Sequence, residues 1–186
     1  DTFGSMSVGY VPEFFSKFKS KLFSSVRFPV PSEYRLPKNH TLSEYQNICL
    51  ENIEKKLSND NSIAAFVMES GAQMAGGVII YPKYFQKQIN KICKDNDVLF
   101  VLDEIATGFG RLGSMIEYKN QNCNPDIVSF GKMLTGGYLT FAATLTSKKI
   151  YDTFTGKFNE MKHLFHGHTY TGNPIAASLS LTNLEL

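Results

Sequence analysis

The sequence predicts an α/β fold in which a mostly parallel sheet is flanked by helices, and three observations carry that reading. Short apolar runs recur at 63–68, 98–102 and 126–130, each about one strand long, and polar residues end them. Stretches with apolar residues at helical spacing separate the runs. No internal repeat or low-complexity tract interrupts the alternation.

Taken in order, residues 10–40 are rich in Phe, Pro, Ser and Lys without a sustained period, which predicts a long surface excursion. Lys17, Lys19, Lys21 and Arg27 alternate there with Phe14, Phe15, Phe18 and Phe23. Such a pattern fits a loop anchored by its aromatic residues, with solvated charges, better than a nucleic-acid or membrane patch. Thr41-Leu42-Ser43-Glu44 has the form of a capping box, and Leu42, Tyr45, Cys49, Ile53 and Leu57 continue it as one helical face. Ile63 to Met68 is a strand ending at Glu69. Pro82 opens a helix whose Phe85, Ile89, Ile92 and Cys93 share a face. A strand at 98–103, a glycine-bearing loop at 106–113, a helix-like stretch at 114–120 and a strand at 126–130 follow. Phe141 to Thr146 is a further strand, Lys148 to Phe154 turns helical, and Pro174 to Leu186 is a helix.

The 186 residues suffice for one domain with a substantial core. A formal charge of +2 supports neither a nucleic-acid surface nor a strongly acidic partner. Cys49, Cys93 and Cys123 lie far apart with no CxxC pair and no evident signal peptide, so they read as reduced thiols of a cytoplasmic protein. No apolar stretch approaches the roughly 18 residues of a membrane span. The chain opens at Asp1 without a methionine and stops inside a helical run, the expected look of a piece of a larger protein.

The chemistry concentrates on Asp103 and Lys132. Asp103 ends the run Val98-Leu99-Phe100-Val101-Leu102, and Lys132 follows the strand 126–130 and opens into Thr135-Gly136-Gly137. Open α/β sheets gather ligands at the carboxyl ends of their strands. A carboxylate and an amine delivered there suit pyridoxal 5′-phosphate, the amine forming a Schiff base and the carboxylate keeping the pyridine nitrogen protonated. The rival P-loop pattern GxxxxGK[ST] fails, because position 133 is Met and position 126 is Asp. Partial desolvation is expected to lower the proton affinity of Lys132 and ready it as nucleophile and base. The adjacent carboxylates Asp103 and Glu104 call for a compensating cation, which a pyridinium supplies. Glu69 can support the site from the neighbouring strand, and Arg111 is expected to brace the glycine loop. The turn His166-Gly167-His168-Thr169-Tyr170-Thr171-Gly172-Asn173-Pro174 offers backbone and hydroxyl donors to a phosphate. His166 and His168 lack a third ligand, so no metal site is expected.

Read together, Asp1 to Val8, Asp103 to Arg111, Gly131 to Leu139, Ala142 to Thr146 and His166 to Pro174 resemble, in order, the class III, fold-type I, pyridoxal-phosphate aminotransferases. Alanine at 106, where many of that class have glutamine, resembles the diaminopelargonate branch. The resemblance implies that residues 1–186 are the central part of the cofactor-binding large domain. The N-terminal segment, with a phosphate loop and a covering tyrosine, would lie upstream of Asp1, and the C-terminal small domain, with a carboxylate-binding arginine, beyond Leu186. It implies Lys132 as the Schiff-base lysine and Asp103 as the pyridine-nitrogen partner. Gly167 would contact substrate, and His168 and Thr169 would reach the phosphate of a neighbouring subunit's cofactor in a homodimer with shared active sites. The implied reaction aminates 8-amino-7-oxononanoate to 7,8-diaminononanoate in biotin biosynthesis, with S-adenosylmethionine or lysine as donor. Alternatives are a diamine, ω-amino acid or glutamate semialdehyde enzyme of the class, or an inert segment that keeps the fold. One departure is Glu69-Ser70, where the family usually has Glu-Pro.

Overall fold

Residues 2–186 are described in the computed structural model, and Asp1 of the first matching motif lies outside them. The chain opens with helices α1 (Phe3–Val8) and α2 (Pro12–Phe15), continues through two short 3-10 helices and enters the long helix α3 (Leu42–Asn59). Strand β1 (Ala65–Glu69) leads to a two-residue hairpin, β2 (Ala72–Gln73) and β3 (Ile79–Ile80). Then come α4 (Phe85–Asp95), β4 (Leu99–Asp103), α5 (Glu117–Asn120), β5 (Ile127–Phe130), β6 (Ala143–Thr146), α6 (Lys148–Thr153) and α7 (Pro174–Glu185). The main sheet has the order β1-β4-β5-β6, with the first three strands parallel and β6 antiparallel to β5. The mostly parallel sheet flanked by helices is the one predicted.

Why α3 forms is visible at its start. Thr41 Oγ1 accepts the Glu44 N–H, while a Glu44 carboxylate oxygen accepts the Thr41 N–H at 2.8 Å, so two otherwise orphaned donors are satisfied. Cys49, Ile53 and Leu57 then fall on one face and are buried against Phe85, Ile89, Ile92 and Cys93 of α4. Both helices cover the sheet face carrying Phe100, Leu102, Val128 and Phe130, where Phe100 and Leu102 are wholly buried. Burying a phenylalanine of this kind contributes about 2–3 kcal/mol.

Helix α4 starts at Phe85 rather than Pro82, because Tyr84 takes a left-handed conformation (φ 67°) that separates the proline from the helix. The opposite sheet face is open. Val67 is 41% exposed, and Val101 and Ile127 are only half-buried. Among the described residues, helices cover one face only.

The excursion at 10–40 is largely exposed, but its anchors are polar more than aromatic. The Arg27 guanidinium donates to the Ser7 carbonyl at 2.8 Å and the Tyr10 carbonyl at 3.0 Å, and it lies 4.9 Å from the Tyr10 ring centroid. Phe14, Phe18 and Phe23 stay exposed, whereas Phe28 stacks on Phe66 at 5.9 Å. No helix among the described residues is long and apolar enough to cross a membrane. No cluster of three or more His, Cys, Asp or Glu side chains among them could hold a metal ion.

Candidate active site

Register builds the site. Glu69 pairs with Asp103 across β1 and β4, Asp103 with Ser129 across β4 and β5, and Ser129 with Thr144 across β5 and β6. Residues in register share a face of the sheet. These four polar side chains therefore form a row, roughly 5 Å from strand to strand, on the face the helices leave open. Their neighbours Met68, Leu102, Val128 and Leu145 point the other way. Lys132 stands three residues beyond Ser129, on the 3-10 helix Lys132–Thr135.

Asp103 is held by its own strand end. Oδ1 accepts the Ile105 N–H at 2.8 Å, and Oδ2 has no donor among the described residues. The backbone is fixed as well, since the Ser70 N–H donates to the Asp103 carbonyl at 2.9 Å. A proline at position 70 could not make that bond, so the departure from Glu-Pro adds a tie between β1 and β4. Gln86 of α4, buried, secures the same corner by accepting the Gly71 N–H at 2.7 Å and donating to Ser70 Oγ at 3.1 Å. Gly71 has φ 74°, and a Cβ there would lie 2.6 Å from Glu117 Cγ, so this close turn needs glycine.

Glu69 carries the clearest electrostatic signature of the site. Burial pushes its carboxyl above the ordinary range and the Asp103 charge adds to the rise. The Met74 N–H, donated at 2.9 Å, and the Lys132 charge pull the other way. Tyr81 faces the same acids: burial, then the charges of Glu69 and Asp103, raise its phenol. Glu69, Asp103 and Lys132 are thus brought within electrostatic reach of one another.

Glu104 corrects an expectation. It needs no cation, because strand alternation turns it away from Asp103 to the covered face. There it is fully buried, with its carboxylate accepting the N–H groups of Glu117, at 3.0 Å, and Tyr118 at the start of α5. Burial still raises its carboxyl, against those hydrogen bonds. The pair Asp103-Glu104 therefore divides its work: one carboxylate faces the open side and the other fixes the loop behind it.

Two further readings change. Lys132 is exposed and not partly buried as expected. The ion pairs among those residues are Lys56–Asp60, Lys148–Asp152 and Lys162–Glu160, which leaves Lys132 and Asp103 outside any of them. Arg111 is exposed and takes no part in bracing the 106–113 loop. Backbone hydrogen bonds brace it instead, from Phe109 N to the Met115 carbonyl at 2.8 Å and from Gly110 N to the Ser114 carbonyl at 3.1 Å. The Phe109 ring packs on Phe130, with centroids 5.3 Å apart.

Gly167, His168 and Thr169 lie on an exposed turn before α7. His168 Nδ1 accepts the Tyr170 N–H at 3.2 Å. The turn borders a shallow cavity of about 300 Å³ lined by Leu139, Thr140, His168, Tyr170, Asn173 and Ala176. Cys49, Cys93 and Cys123 are free and buried, and burial pushes the Cys93 thiol up to about 12 and the Cys123 thiol up to about 11. They read as structural thiols. Sequence reasoning missed Gln86 and Tyr81, whose roles depend on partners that only the fold brings near.

The donor set fits a phosphorylated pyridine aldehyde. Asp103 offers a carboxylate oxygen unclaimed by the described residues, Lys132 an amine outside any ion pair, and the open face leaves room above both.

The model of the family described as aminotransferase class-III matches residues 1–186. The adenosylmethionine-8-amino-7-oxononanoate aminotransferase of Staphylococcus aureus is 44% identical over 187 residues, which cover 100% of this chain and 41% of that protein. The crystal structure of the enzyme of that name from Methanocaldococcus jannaschii superposes with a TM-score of 0.84 at 42% identity, over 100% of this chain and 40% of that one. A thermostable (S)-enantioselective ω-transaminase from Thermomicrobium roseum gives a TM-score of 0.86 at 30% identity, over 99% of this chain and 41% of that one. The chain thus spans about two fifths of the relatives it matches. Matched from end to end by the family model, it belongs to the class-III aminotransferases.

Proposed function

We propose that residues 1–186 are the central part of the cofactor-binding large domain of a biotin-synthesis aminotransferase. The reaction is transfer of an amino group to 8-amino-7-oxononanoate, giving 7,8-diaminononanoate. Pyridoxal 5′-phosphate is the cofactor of the class. The observation that carries the reading is the row Glu69–Asp103–Ser129, with Lys132 just beyond it at the mouth of the sheet. The names of the relatives from Staphylococcus and Methanocaldococcus support the choice of acceptor.

When bound, the cofactor supplies an aldehyde for the lysine amine and a protonated ring that withdraws electrons. Asp103, clamped through Oδ1, would offer Oδ2 to the ring nitrogen and keep it protonated. Lys132 Nζ would hold the cofactor through its aldehyde and, as an amine, would serve as the base that moves the proton of the donor's amino-bearing carbon. Glu69, two strands from the lysine, would help balance its charge, consistent with the pull of Lys132 on its carboxyl. Gly167 lies on the turn that would meet substrate. His168 and Thr169 would reach the phosphate of a partner subunit's cofactor, a role supported by the exposure of that turn and one that requires a homodimer. The free, buried cysteines support a cytoplasmic location. By itself the segment is expected to be inert, because the other half of the pocket would come from outside it.

The ω-transaminase likeness makes another class III substrate the competing reading. A substrate panel on the full-length protein separates the two. With S-adenosylmethionine or lysine as donor, 8-amino-7-oxononanoate is expected to exceed diamines, ω-amino acids and glutamate semialdehyde by about 10²-fold or more in kcat/KM. Preferred turnover of one of the others overturns the choice of acceptor.

A further inference from the structure

We infer that Asn183 is a positioning residue for Lys132, acting from α7 through the turn that carries the lysine; the inference rests on the reading of Lys132 given above. Lys132 has φ 42°, in the left-handed region that residues with a Cβ rarely adopt. Such a conformation persists only where its surroundings impose it. The turn's own bonds run from Leu134 N to the Gly131 carbonyl at 2.9 Å and from Gly136 N to the Met133 carbonyl at 3.0 Å. Gly136 (φ 60°) and Gly137 (φ 85°) then reverse the chain.

The one side chain from a distant element that hydrogen-bonds this turn, among the described residues, is Asn183. Its amide donates to the Met133 carbonyl at 2.8 Å and to the Leu134 carbonyl at 3.4 Å. Ala176, Ser180 and Asn183 fall at i, i+4 and i+7, on one face of α7. Ala176 and Ser180 are buried and small, and the Ser180 hydroxyl turns back to the Ala176 carbonyl at 2.8 Å, so the helix can lie close to the turn. Asn183 Oδ1 fits against Gly136, where an added Cβ would lie 3.0 Å from it. Asn183 thus ties the carbonyls that follow Lys132 to a helix whose start is capped by Asn173, whose Oδ1 accepts the Ile175 N–H at 3.0 Å. Position and tilt of α7 are thereby passed to the direction of the lysine.

The test uses the full-length protein loaded with pyridoxal phosphate and the variants Asn183→Ala, Asn183→Asp and Lys132→Ala. Alanine removes the amide but favours the helix, so α7 persists. Aspartate keeps the shape, lacks the amide protons and repels the two carbonyls. The readouts are the pH midpoint of the visible band of lysine-bound cofactor, kcat, KM and the melting temperature. Both Asn183 variants are expected to shift the midpoint and to lower kcat about tenfold with KM for the acceptor little changed, as for a misaimed reacting group. Aspartate is expected to have the larger effect. If alanine lowers the melting temperature, the aspartate variant decides, read well below its own melt. A wild-type midpoint with wild-type kcat in the deciding variant overturns the inference. Persistence of the visible band in Lys132→Ala would instead remove the reading on which the inference rests, so the two failures are distinct.

Discussion

In the full-length protein, Lys132→Ala is expected to abolish the visible absorbance of lysine-bound cofactor and to lower transamination by about 10⁴-fold, the upper range for loss of a positioned proton-transfer group. The expected effect is this large because the proposed role gives one atom, Nζ, two tasks: anchoring the cofactor and moving the proton. No other lysine of the segment stands at the carboxyl end of the parallel strands. Lys17, Lys19 and Lys21 sit on the excursion, Lys83 precedes α4 and Lys119 lies within α5. Stability changes little, because the side chain is exposed and outside any ion pair of the described residues. Added primary amines are expected to restore part of the proton-transfer rate but not the absorbance band. A variant that retains the band at wild-type intensity contradicts the assignment.

Asp103→Asn is expected to lower kcat by about 10³-fold, the scale for removing one charge aimed at a charge that develops in the reaction. The isosteric amide can still accept the Ile105 N–H, now donated at 2.8 Å to Oδ1, so the strand end keeps its shape. The amide cannot hold a proton on a pyridine nitrogen. Unfolding stability is expected to stay within about 1 kcal/mol of wild type, since the hydrogen bond is kept. Asp103→Ala, by contrast, loses that bond and combines the catalytic defect with a looser turn. Equal kcat in wild type and Asp103→Asn would show that this carboxylate does not tune the ring.

Much of this site is legible in the sequence because it depends on strand ends. The runs 98–102 and 126–130 mark where the sheet stops, and the polar residues that follow are placed by the chain itself. The capping box at Thr41 and Glu44, being local, was equally readable. What escaped depends on partners far along the chain. Gln86 bonds a turn 15 residues earlier, and Asn183 reaches the turn 50 residues before it. Neither residue stands in a motif. The hairpin of β2 and β3 escaped because two-residue strands have no period to detect. The Glu104 expectation failed for a reason the sequence did contain: alternation along a strand sends neighbours to opposite faces, so adjacent carboxylates need not share a cation. Continuous apolar runs do not show which face is covered, and among the described residues helices cover only one. The open face is the one that bears Asp103.

The family is established by the match of its model across residues 1–186; the roles proposed for single residues rest on the row at the sheet's mouth. Trapping tests those roles most directly. The full-length protein is incubated with pyridoxal phosphate, reduced with borohydride so that the carbon–nitrogen double bond becomes a stable single bond, digested and mapped by mass. The expected result is one pyridoxyl group, on Lys132, displaced by prior incubation with the amino donor. A pyridoxyl group spread over exposed lysines such as Lys17, Lys19 and Lys83, with none on Lys132, would contradict the account.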